Sequence, residues 1–192
     1  EAAAIFARLL AEKNGDTIST AANTKFADIP AHAWYSGYVK YLSNNGITYG
    51  KSKTIFAPND AITRAEFTTM AVRFFDVYGD GDAEIMEQFS GFNDVSSGYW
   101  AAEYIKYAAL HGWINGYGDG SFHADREINR AEVVTIVNRL LGREADEDYI
   151  ADNLRKLNTF PDVTKRHWAY YAVMEAANAH TAVLGESESW SK

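Results

Sequence analysis

Three segments of this chain open on one pattern, phenylalanine, any residue, aspartate, then valine or isoleucine: Phe26-Ala27-Asp28-Ile29, Phe92-Asn93-Asp94-Val95 and Phe160-Pro161-Asp162-Val163. Eight residues after each phenylalanine stands a tryptophan, Trp34, Trp100 and Trp168. Twenty residues after it come Gly46 and Gly112, and 38 after it Arg64 and Arg130, each within Arg-Ala-Glu. The units are spaced by 66 and then 68 residues. A period of this kind means supersecondary units that bury their apolar faces against one another. The ends are unequal. Glu1-Ala2-Ala3-Ala4-Ile5-Phe6 reads like the helix after Arg-Ala-Glu, and the position 38 beyond Phe160 lies past the last residue. One domain over 1–192 is expected, made of a second half repeat with linker (1–25), a complete repeat (26–91), a complete repeat with an acidic linker (92–159), and a first half repeat with tail (160–192). The two end halves are expected to pair into a third lobe.

Within a repeat the periodicity is helical. Trp100, Tyr104, Tyr107, Ala108 and Leu110 share a face and predict a helix over Tyr99–Leu110, ended by His111-Gly112. Asn115-Gly116-Tyr117-Gly118-Asp119-Gly120-Ser121-Phe122 is a glycine loop. A second helix starts at Asn129 with Glu132 completing a capping box, carries Val133, Ile136, Val137, Leu140 and Leu141, and stops at Gly142. The first repeat copies this with helices over Trp34–Ser43 and Thr63–Val77, Glu66 serving as the capping glutamate. Short acidic helices are expected at Asp82–Phe89 and Asp146–Leu157. The predicted class is all-α, with short extended pieces at most in the glycine loops.

Composition narrows the partners. Net charge is −8, and there is no cysteine. Nucleic acid and anionic membrane surfaces reward a net basic face, so neither is an expected partner. Without cysteine there is no disulfide, thiolate nucleophile or thiolate-held zinc. The five histidines show no metal-ligand spacing, and Tyr78-Gly79-Asp80-Gly81-Asp82 misses the calcium-loop pattern. No nucleophile elbow or phosphate loop occurs. No cofactor, metal or catalytic residue is expected.

Phe92-Asn93-Asp94-Val95, Trp100-Ala101, Gly112-Trp113-Ile114, the glycine loop and Ile128-Asn129-Arg130-Ala131-Glu132 together resemble the S-layer homology family. The first repeat matches through Phe26-Ala27-Asp28-Ile29, Trp34, Gly46-Ile47 and Ile62-Thr63-Arg64-Ala65-Glu66, but carries Lys51 and Lys53 in its glycine loop. The third matches through Trp168-Ala169 and diverges at Asn178-Ala179-His180. The resemblance implies a three-lobed helical bundle outside the cell, attached to other domains. The resemblance also implies that it anchors a surface protein by binding pyruvylated secondary cell-wall polysaccharide in grooves between lobes. By that resemblance the ligand-binding residues are Thr63, Arg64, Asn129 and Arg130, followed by Asp28, Asp94, Asp162, Trp34, Trp100, Trp168, Gly118 and Gly120.

The chemistry suits the residues. A pyruvyl ketal carries a carboxylate, which calls for an arginine fork. A cation at a helix N-terminus is mildly disfavoured, so Arg64 and Arg130 point to an outside partner. Each also has a structural reading. The arginines could bridge to a neighbouring lobe, the tryptophans are expected to pack in the core with a ring edge in a groove, and the aspartates could cap the turn into the first helix. The rival function is a self-assembling or protein-binding scaffold of the envelope.

Overall fold

The computed structural model describes residues 1–79, 89–183 and 189–191. Its helices are α1 (Ala2–Asn14), α2 (Ser36–Asn44), α3 (Arg64–Tyr78), α4 (Ala102–Leu110), α5 (Arg130–Leu140), α6 (Glu147–Asn153), a 3-10 turn (Leu154–Lys156) and α7 (Tyr170–Ala177). Near the end, β1 (Thr181–Val183) pairs antiparallel with β2 (Ser189–Ser191), Ala182 opposite Trp190. The all-α class holds for the repeats. The short helix expected over Asp82–Phe89 falls almost wholly outside the described residues.

The second helix of each unit begins where its cap dictates. Thr63 accepts from the Glu66 N–H while Glu66 reaches back to the Thr63 N–H, and Asn129 with Glu132 does the same for α5. The first helix of each repeat is shorter than its periodicity predicts. Trp34 and Trp100 lie in tight turns just ahead of α2 and α4, closed by Ser36 N–H to Ala33 and Ala102 N–H to Tyr99, both 2.9 Å. Standing outside the helix, the rings project to solvent: Trp34, Trp100 and Trp168 are 58%, 56% and 64% exposed. Core packing of these tryptophans is thus corrected. The core takes Phe6 and Leu10 of α1, Phe67 and Phe74 of α3, and Ile105, Trp113, Phe122 and Ile136 of the second repeat. Phe6 lies 4.9 Å from the Phe74 ring and 5.3 Å from the Phe67 ring.

Helices pair in a staggered order. α1 packs on α2, α3 on α4 and α5 on α7, while α3 also touches α1 and α5. Each second helix is covered by the first helix of the following repeat. The main partners of the two end halves are thus α2 for α1 and α5 for α7. The two ends of the repeat series are linked differently: Arg130, the first residue of α5, bridges to Glu1 at 2.9 Å.

The repeat-start phenylalanine and the loop glycine need each other. A Cβ on Gly50 would sit 2.5 Å from the Phe26 ring, and one on Gly116 2.5 Å from the Phe92 ring and 2.6 Å from the Ser121 carbonyl. Gly118 has open space around it. Gly116→Ala is expected to lower stability by about 1–3 kcal/mol, and Gly118→Ala to stay within about 0.5 kcal/mol, read as denaturant midpoints.

Candidate functional site

The repeat-start aspartates hold the glycine loops. Asp28 accepts from the Phe56 N–H at 2.9 Å and the Ala57 N–H at 2.6 Å. Asp94 accepts from Phe122 and His123, both at 2.7 Å. Ala57 and His123 both have positive φ, 60° and 55°, so the two loops share one backbone path. Burial pushes the Asp28 and Asp94 carboxyls up, and the backbone N–H groups outweigh it, holding both below the ordinary 3.8. They clamp loops rather than cap the first helix. Asp162 is exposed and clamps no loop N–H among the described residues. The third unit's corresponding N–H, that of Trp190, is taken at 3.0 Å by Asp146, which also caps α6.

Arg64 is drawn inward and only 5% exposed. Its guanidinium donates to the Phe122 carbonyl at 2.8 Å, the Asn115 carbonyl at 3.3 Å and Glu132 at 2.8 Å, and lies over the Phe122 ring at 4.4 Å. The Arg64 and Ala65 N–H groups at the start of α3 donate to the Arg126 and Ala124 carbonyls, both at 2.9 Å. The first turn of α3 is therefore closed by the second repeat. Arg130, its counterpart, is a bridge to Glu1 with its side chain 85% exposed. The difference is the loop. The second repeat's loop covers Arg64, whereas among the described residues no loop of a following repeat lies over Arg130.

Two equivalent grooves result, one per complete repeat. The first, about 420 Å³, is lined by Tyr49, Lys51, Phe56, Glu66, Arg73 and Trp100 among others. The second, about 470 Å³, is lined by Arg64, Tyr117, Arg126, Asn129, Glu132, Arg139 and Trp168 among others. Each contains the capping glutamate of its own repeat and the tryptophan of the next. Their electrostatics differ. The first sets Lys51 and Arg73 against Glu1, Asp60 and Glu66. Among the described residues, the second sets three guanidinium groups against Glu132 alone. Burial pushes the Glu66 carboxyl up, but the Lys51 ammonium and the Thr63 N–H hold it below its ordinary value.

The remaining sequence-predicted residues divide. Asn129 and Trp168 face the second groove and Trp100 the first. Trp34 packs edge-on against Tyr35 and Tyr38. Thr63 is spent on its capping box. Gly118 and Gly120 lie in the loop turn beside Asn93, and Gly116 and Tyr117 are the loop residues that reach the groove.

Sequence reasoning missed Arg73, Arg126 and Arg139. A signal existed for two of them, since an arginine follows Glu1, Glu66 and Glu132 by seven residues: Arg8, Arg73 and Arg139. Arg8 donates to the Tyr38 hydroxyl at 3.1 Å and Arg73 to the Tyr104 hydroxyl at 3.2 Å, tyrosines twelve residues after their repeat-start phenylalanines. At that offset the third unit carries Ala172, whose carbonyl accepts from Asn138 at 2.9 Å. Arg139 thus lacks its tyrosine, is exposed, and has no carboxylate partner among the described residues.

One cluster mimics a catalytic triad and cannot act as one. Ser121 Oγ is 3.0 Å from His123 Nε2, and His123 Nδ1 is 3.7 Å from Asp94. The hydroxyl already donates to Asp119 at 2.6 Å, and Ser121 is 5% exposed. Among the described residues no group of three histidines and carboxylates could hold a metal, and no helix is long and apolar enough to cross a membrane.

Fold and site define a class: a repeat-built helical module with a recurrent groove at each repeat junction. The S-layer homology domain family model matches residues 25–68 and 91–134, and the chain belongs to that family. It is 32% identical over 196 residues to Cell surface glycoprotein 1 of Acetivibrio thermocellus, covering 98% of this chain and 8% of that protein. It is 30% identical over 189 residues to the Cellulosome-anchoring protein of the same organism, covering 97% of this chain and 40% of that protein. An S-layer protein of Bacillus thuringiensis subsp. finitimus is 32% identical over 117 residues, 61% of this chain and 14% of its own length. The chain thus spans less than half the length of each of these relatives.

Two outcomes follow. Arg64→Ala leaves Glu132 and two carbonyls without their buried partner and is expected to cost about 3 kcal/mol, whereas Arg130→Ala leaves the thermal midpoint unchanged. Because the Asp28 and Asp94 pKa values are lowered, their stabilisation is full above 3.8 and is lost as pH falls through the folded values. An Asp28→Asn, Asp94→Asn double variant is expected to be less stable at neutral pH and to lose less stability than wild type on acidification below 3.8, read from midpoints across pH.

Proposed function

We propose that this chain is a non-catalytic module that anchors a surface protein to the bacterial wall, by taking an anionic, pyruvylated wall polysaccharide into the second groove. One observation supports this above the others. In a chain of net charge −8, Arg64, Arg126 and Arg139 converge on a cavity of about 470 Å³ with Glu132 as the one carboxylate among the described residues of its lining. Charges within a Debye length decide an ionic site, and here their sign opposes that of the whole chain.

The roles divide within the groove. Arg64 neutralises Glu132 and forms the floor. Arg126 also bonds Glu132, which leaves Arg139 as the guanidinium available to a ketal carboxylate. The Asn129 amide N–H groups offer a polar edge, and the exposed Trp168 offers a flat face to a sugar ring. The printed name of one relative, a cellulosome-anchoring protein, agrees with this use.

Arg139→Ala is expected to reduce binding to purified cell walls by about tenfold or more with an unchanged thermal midpoint. Walls stripped of their ketal groups are expected to bind wild type no better than intact walls bind the variant. Equal binding of wild type to stripped and intact walls would overturn the carboxylate role.

A further inference from the structure

Arg73 and Arg139 stand at the same place in their repeats, and two of their neighbours differ. Arg73 lies over the Tyr49 ring at 4.7 Å and the Tyr104 ring at 4.9 Å, and donates to the Tyr104 hydroxyl. Two rings and a hydroxyl thus occupy that guanidinium. At the offset of Tyr49 the second repeat carries Asn115, and at the offset of Tyr104 the third unit carries Ala172. The rings that hold Arg73 therefore have no equivalent beside Arg139, and one amide stands there instead. In the orientation that satisfies it, the Asn115 side chain donates to the Ile114 carbonyl at 3.0 Å, and its oxygen accepts from Arg139 Nη1 at 3.3 Å. The main-chain carbonyl of the same residue accepts from Arg64 at 3.3 Å. Asn115 thus joins the arginine at the floor of the groove to the arginine at its side. Nε and Nη2 of Arg139 make no hydrogen bond with the described residues.

We infer that Asn115 is the positioning and specificity-determining residue of the second groove: its amide oxygen holds one corner of the Arg139 guanidinium, so that the Nε–Nη2 edge is presented to a carboxylate. This rests on the anionic-ligand reading of that groove. The amide orients Arg139 without neutralising it. An aspartate at the same place would pair with the guanidinium, and a tyrosine would cover it as Tyr49 covers Arg73. Holding one nitrogen also limits the rotamers of a long side chain before the ligand arrives, which lowers the ordering cost of binding. The free edge then selects its ligand. A planar carboxylate accepts two parallel bonds from it, whereas a neutral sugar hydroxyl offers neither the second acceptor nor the charge.

Affinity of the whole chain for purified cell walls, intact and stripped of ketal groups, tests this. Asn115→Asp is expected to bind intact walls at least about tenfold less tightly than wild type, with an unchanged thermal midpoint. Asn115→Ala is expected to lose about threefold. In an Arg139→Ala background the same Asn115→Ala change is expected to alter binding by less than about twofold, because no guanidinium remains to be held. A merely structural role would carry the full loss into that background, and that result would overturn the inference. Wild-type affinity in Asn115→Asp would overturn it too. Either result leaves the anion reading standing, provided wild type still prefers intact walls and Arg139→Ala abolishes the preference. Equal binding of wild type to both kinds of wall defeats the anion reading and this inference with it.

Discussion

The Arg64 guanidinium lies where three parts of the molecule meet: the start of α3, the glycine loop of the following repeat and the capping glutamate of α5. A charge buried there is tolerable only because each face of it has a partner, two carbonyls, a carboxylate and an aromatic ring. In return the loop acquires a fixed position relative to a helix 58 residues away. Glu132 serves two structures at once, completing the α5 cap with one oxygen and receiving Arg64 and Arg126 with the other. Repeat-to-repeat registry thus rests on one ionic knot, with the aspartate clamps holding the loop rigid enough to form it.

From that knot follows the difference between the grooves. Arginine from the preceding repeat brings positive charge into the second groove, where Arg126 and Arg139 already stand. The first groove has the same glutamate and the same tryptophan position, but Lys51 and Arg73 face three carboxylates. Within the repeats themselves, Asp60 stands at the offset where the second groove has Arg126, which turns sequence-equivalent sites electrostatically opposite. Loss of a tyrosine at Ala172 has a similar effect, since it leaves Arg139 unclamped while Arg8 and Arg73 are tied to hydroxyls.

The C-terminal unit shows how far a repeat can drift and keep its packing. Phe160 is 44% exposed where Phe26 is 2% exposed. Asp146 takes the loop N–H that Asp162 would hold, and Ile150, Tyr170, Met174 and Trp190 build a separate small core. A reading by offsets alone places Phe160 and Asp162 with their namesakes, because it cannot see that an inserted helix, α6, competes for the same place.

Much was legible beforehand. Helix identity, the two capping boxes, the glycine stops and the 66-residue period all follow from local pattern, since capping and amphipathic spacing act within a few residues of one another. Arginine at the first position of a recurring helix was equally plain from the residues. Whether that arginine faces a ligand or a neighbour was not, because Arg64 and Arg130 have the same local sequence and differ, among the described residues, in whether another repeat's loop covers them, leaving one 5% and the other's side chain 85% exposed. The same holds for the tryptophans, whose helical spacing suggested burial until the turn ahead of each helix set them outside it. Sequence alone determined the repeated parts and their ends; tertiary structure decided which helix covers which, which charges are consumed and which groove keeps its positive field, because those depend on contacts between units that no local pattern encodes.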